Sequence, residues 1–68
     1  MAIRLRAARV NAGLTQREAV SYLRELGISI SKNTLTSYEK YRTKPDIATA
    51  KAMATLYGMT VDDIIFYA

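Results

Sequence analysis

The sequence predicts an all-α domain of five short helices, and three observations carry that expectation. Apolar residues recur at three- and four-residue spacing through most of the chain. Gly13, Gly27 and Gly58 fall just behind such runs, where a helix closing in the left-handed conformation uses glycine. Thr15, Ser31, Asp46 and Thr60 stand in front of the runs that follow, and each is an N-cap type. The 68 residues, half of them hydrophobic, make one domain spanning 1–68. A core of this size buries only about 60% of the unfolded surface and leaves nothing for a second.

The first helix is expected over about Ala2 to Ala12, with Leu5, Ala8 and Ala12 at helical spacing before Gly13. The second starts at Thr15, with Glu18 three residues on as a capping box, and sets Ala19, Leu23 and Leu26 on one face before Gly27. Ile28 to Ile30 is apolar and partly β-branched, but three residues between a helix stop and a cap make a connector. Ser31 caps the third helix, Lys32 to about Lys40. Leu35 and Tyr38 lie on one side of it, and Lys32, Asn33, Thr36 and Ser37 largely on the other. Pro45 disfavours helix at Lys44, so Asp46 caps the fourth, whose inner stripe is Ile47, Ala50, Met53, Ala54 and Tyr57. Thr60 caps a short fifth helix with Asp62 and Asp63 in its first turn and Ile64, Ile65 and Phe66 at its apolar end.

Composition narrows the functions. The chain has no cysteine and no histidine, which removes thiolate sites, the commonest metal ligand and the usual general base, so no metal or cofactor is expected. An acid–base pair would need two of the six carboxylates together, and the adjacent Asp62 and Asp63 point in different directions on a helix. An enzyme is not expected. No apolar run serves as a signal-peptide core or a membrane span, no helix joins a cationic face to a large aromatic one, and no small-molecule pocket is evident, which points to a cytoplasmic protein. The net charge of +4 is unevenly spread. Residues 1 to 45 carry nine cations (Arg4, Arg6, Arg9, Arg17, Arg24, Lys32, Lys40, Arg42 and Lys44) against Glu18, Glu25 and Glu39. Residues 46 to 68 carry Lys51 against Asp46, Asp62 and Asp63. A basic region of this kind suits a phosphate backbone.

Gly13-Leu14-Thr15-Gln16, Thr34-Leu35-Thr36-Ser37-Tyr38-Glu39, Pro45, and Gly58-Met59-Thr60-Val61-Asp62-Asp63-Ile64 follow one another in fixed order. The constellation resembles the lambda-repressor-like, Cro-type helix-turn-helix domains of the XRE family. That resemblance implies a five-helix lambda-repressor-like fold and a sequence-specific transcriptional regulator, a repressor of bacterial or phage origin working on the nucleoid. Its partner would be a double-stranded DNA operator, read in the major groove by the helix at about 32–40. By position it implies base contacts from Lys32, Asn33, Thr36 and Ser37, side chains able to bond or touch base edges. It implies phosphate contacts from Thr15, Gln16 and Arg17 at a helix N-terminus, and from Lys40, Tyr41, Arg42, Thr43 and Lys44 in the following turn. It further implies a structural ion pair between Arg9 and Glu39, and a homodimer that can assemble on the DNA itself.

Two departures stand out. About five extra residues lie between Gln16 and Thr34, lengthening the second helix through Arg24-Glu25-Leu26 and widening the turn at Ile28 to Ser31. Tyr41 stands where the family pattern has Gly, so that turn either differs or holds a non-glycine residue at positive φ. A rival reading is a protein-interaction module that uses Ile64, Ile65, Phe66 and Tyr67 as its contact surface.

Overall fold

Four α-helices form between the caps and stops. A computed structural model describes residues 1–67, with helices α1 (Leu5–Asn11), α2 (Gln16–Glu25), α3 (Lys32–Glu39) and α4 (Ile47–Leu56). Three of the caps are closed by side chains. Thr15 Oγ1 accepts from the Glu18 amide at 3.1 Å while the Glu18 carboxylate accepts from the Thr15 amide at 2.9 Å. Ser31 Oγ accepts from the Thr34 amide at 3.1 Å, and Asp46 Oδ1 from the Thr49 amide at 2.8 Å. The hydrogen bonding from Thr49 holds the Asp46 carboxyl below its usual range.

The expected fifth helix does not form. Val61–Asp63 makes a single 3-10 turn, and Ile64–Ile65 continues as a strand, β2, parallel to Ile3–Arg4, β1. Ile3 pairs with Ile64 and Arg4 with Ile65. Asp63 Oδ2 accepts from the Thr60 hydroxyl at 2.8 Å and its amide at 3.3 Å, which starts the turn, but a helix this short cannot repay its nucleation cost. The β-branched Ile64 and Ile65 then gain more from pairing with the N-terminal segment. For the same reason α1 begins at Leu5 and not at Ala2: residues 3 and 4 are taken by β1. Over the described residues the fold is therefore mostly helical, with four α-helices and one short strand pair.

The core draws on every helix. Leu5, Leu23, Leu35 and Met53 are fully buried, packed with Ala8, Ala19, Ala50, Ala54, Tyr57, Ile64 and Phe66. Full burial of a leucine or methionine side chain such as the first four stabilises by about 1.5–3 kcal/mol, and of an alanine methyl by much less. Two residues expected on inner faces are not there. Ile47 is 75% exposed, because a first-turn side chain tilts back past the helix start, where no element lies over it. Leu26 is 50% exposed, since α2 ends at Glu25 and Leu26 is its C-cap. The connection from Leu26 to Ser31 is pinned by Ile28 and Ile30, which pack partly buried against the core. Among the described residues no helix is long and apolar enough to cross a membrane.

Candidate nucleic-acid interface

The face in question is assembled around one buried ion pair. Arg9, a basic residue 7% exposed near the end of α1, donates from Nε to Glu39 Oε2 at 2.7 Å and from Nη2 to Glu39 Oε1 at 3.3 Å. Its Nη1 donates to the Leu14 carbonyl at 2.7 Å, so the same guanidinium fixes the turn from α1 into α2. Glu39 Oε1 also accepts from the Gln16 side-chain amide at 3.1 Å, and the Thr36 hydroxyl lies 3.4 Å from Gln16 Oε1 as a donor. Arg9, Glu39, Gln16 and Thr36 thus form one chain of polar contacts from α1 through α3 to the first residue of α2. A pair with side chains only 9% and 4% exposed is costly to break, because a lone buried charge remains.

That network orients α3. Leu35 is buried and Tyr38 packs partly buried against the core, which leaves Lys32 and Asn33 exposed and Thr36 and Ser37 half-buried beside them. The only carboxylate of α3, Glu39, is held inside by Arg9, so the outward face is free of negative charge. The Thr36 hydroxyl is partly committed, since it also donates to the Lys32 carbonyl at 3.0 Å. Gln16 sits at the start of α2 between exposed Thr15 and exposed Arg17, with its amide already engaged by Glu39.

Behind α3 the chain turns through Lys40, Tyr41, Arg42, Thr43 and Lys44, of which all but Tyr41 are exposed. The turn is a left-handed closure with Tyr41 at φ 61°, where the Arg42 amide bonds the Ser37 carbonyl at 2.9 Å and the Tyr41 amide the Tyr38 carbonyl at 3.1 Å. The other three helices end in the same way with glycine at that place. Tyr41 therefore keeps the turn despite its Cβ. The hydroxyl helps to hold it: it donates to the Ile65 carbonyl at 2.9 Å and accepts from the Leu5 amide at 3.3 Å. The phenol is thus bonded to both ends of the fold, a use different from the phosphate contact its position suggests.

Neither the Gln16 link to Glu39 nor the anchoring of Tyr41 was read from the sequence. Both join residues more than twenty positions apart, and no local spacing signals such contacts. The structure also stacks two cations on rings next to the turn: the Arg4 guanidinium carbon lies 5.4 Å from the centre of Tyr41, and Lys44 Nζ 5.0 Å from that of Tyr67.

Comparison with known proteins gives a consistent picture. A family model described as a helix-turn-helix domain matches residues 1–64. The HTH-type transcriptional regulator ImmR of Bacillus subtilis is 36% identical over 62 residues, covering 91% of this chain and 45% of that protein. The cryptic phage CTXphi transcriptional repressor RstR of Vibrio cholerae is 31% identical over 62 residues, covering 91% of this chain and 51% of that protein. The chain spans about half the length of these curated relatives. No solved structure matches.

Proposed function

The chain belongs to the helix-turn-helix domain family, and from that premise we propose that it is the sequence-specific DNA-binding module of a transcriptional regulator, a repressor of bacterial or phage type. It enters the major groove of an operator with α3 and works in the cytoplasm, on the nucleoid. Its role is binding, with no chemical step. The observation that carries the reading is the outward face of α3: exposed Lys32 and Asn33 beside Ser37, no carboxylate among them, and an exposed cationic turn at Lys40, Arg42 and Lys44 directly behind. The relatives, named a transcriptional regulator and a transcriptional repressor, support the same class.

In this reading Lys32, Asn33 and Ser37, with Thr36 beside them, contact base edges. An amide such as that of Asn33 bonds adenine in two places, and a lysine donates to guanine. Thr15, Gln16 and Arg17 meet phosphate at the N-terminus of α2, and Lys40, Arg42, Thr43 and Lys44 meet it in the turn. Base contacts distinguish sequences and phosphate contacts do not.

The experiment follows from that division. After selection of bound sequences from a random duplex pool, Asn33→Ala is expected to cost about 1–3 kcal/mol on the selected site and little on random DNA. Arg42→Ala is expected to weaken both by similar factors and to make the salt dependence shallower by about one unit. Both are read by fluorescence anisotropy across a salt series. If Asn33→Ala is silent on every sequence while Arg42→Ala changes base preference, α3 does not read the groove.

A further inference from the structure

We propose that Arg4 is an additional DNA-phosphate ligand, carried by the strand pair and aimed by Tyr41 alongside the turn at 40–44. The proposal rests on the DNA-binding reading above and adds to it a contact from outside the helix-turn-helix elements.

Four observations carry it. Arg4 is exposed, although it lies in β1 and its neighbour Leu5 is fully buried. Its guanidinium stands over the ring of Tyr41, 5.4 Å from the centre. The ring is fixed by both hydrogen bonds of its hydroxyl, to Ile65 and Leu5, and by the closed turn at its own backbone. Among the described residues the one ion pair is Arg9 with Glu39, so Arg4, Lys40, Arg42 and Lys44 all lack a carboxylate partner.

The chemistry follows from these positions. A guanidinium lying against an aromatic face gives up none of its five N–H groups, because the ring takes no hydrogen bond from the fork edge. The stack limits the freedom of a long side chain and leaves the planar donors available for a bidentate grip on a phosphate oxygen pair. Tyr41 is covalently between Lys40 and Arg42, so the cation it aims is continuous with the cationic turn. A tyrosine at positive φ is accounted for in the same way: glycine would close the turn with less strain but would leave Arg4 without a platform and β2 without its hydroxyl bond.

The test uses the full chain and two fluorescein-labelled duplexes, one of random sequence and one selected, titrated over a salt series. Arg4→Gln is expected to weaken binding several-fold on both duplexes alike and to lower the slope of log K against log salt by about 0.9, the value for one lost phosphate contact on B-DNA. Arg4→Lys is expected to restore most of the slope. Lys51→Gln, which removes the same charge from α4, is expected to leave the slope near that of the wild type. Melting temperature is followed for all three. An Arg4→Gln variant with wild-type slope overturns the proposal while the DNA-binding reading stands, and so does an equal loss of slope in Lys51→Gln, which marks a net-charge effect. A lower melting temperature with unchanged slope also overturns it, as a purely structural stack. A wild-type chain that shows no salt-dependent binding overturns the reading beneath it and this proposal together.

Discussion

The hydroxyl of Tyr57 is buried with no hydrogen-bond partner among the described residues. Burial pushes its pKa up to about 12, with the Glu39 carboxylate adding to the rise and Arg9 opposing it. Below pH 10 the phenol is protonated in both folded and unfolded chains and adds no pH dependence. Between pH 10 and about 12 only the unfolded chain releases the proton, so the fold loses about 1.4 kcal/mol per pH unit from this group. Tyr57→Phe is therefore expected to match or exceed the wild type at pH 7, by up to about 1 kcal/mol, since an unpaired buried polar atom is removed. The alkaline loss should shrink in the same variant. Urea unfolding at pH 7 and pH 11 measures both, and a variant less stable by a full kcal/mol at pH 7 would show that the hydroxyl is bonded. Sequence periodicity already set Tyr57 on the inner stripe of α4. Its hydroxyl's isolation was not legible, because it depends on what α1 and α3 bring near it.

Between elements, the strongest polar tie is Arg9 of α1 with Glu39 of α3. Removing one member of a buried pair typically costs about 3–5 kcal/mol. Glu39→Ala also leaves the Gln16 amide without its acceptor. For a domain of this size each kcal/mol moves the melting temperature by about 4–8 °C, so a fall of more than 10 °C is expected, read by circular dichroism. A melting temperature within a few degrees of the wild type, with DNA binding lost, would mean that Glu39 acts on the DNA side. Element boundaries were legible where a cap and a stop bracket a helix, as Thr15 and Gly27 bracket α2. They were misread at both termini, where β1 and β2 exist only because Ile3 and Ile64 meet across the fold. A short stretch such as Val61 to Ile65 has no preference strong enough to resist that pairing. Tyr41 falls between the two cases: the turn was expected, its tyrosine left two outcomes open, and the hydroxyl bonds to Leu5 and Ile65 account for the residue that glycine would replace.

For the whole molecule, the uneven charge and the small size together bear on assembly. One recognition helix contacts only a few base pairs, too few for useful specificity, and domains of this kind bind paired half-sites about 34 Å apart. The described chain measures 28 × 23 × 20 Å, so two copies with their α3 helices that far apart have little surface to share. Their cationic regions also repel in the absence of DNA, a cost that phosphate removes. The expected outcome is a chain that sediments as a monomer at micromolar concentration and occupies two symmetric half-sites cooperatively on a selected operator. Of the exposed apolar side chains, Val61 and Tyr67 both lie near the strand pair and suit a small contact of that kind. Because Tyr67 also carries Lys44 Nζ over its ring, the test is placed at Val61: Val61→Ala should leave binding to an isolated half-site unchanged and reduce cooperativity on the paired site, as measured by quantitative footprinting. Saturation of one unpaired half-site, with the second position open at every concentration, would count against a dimer. A stable dimer without DNA would instead show that the contact is larger than these dimensions allow.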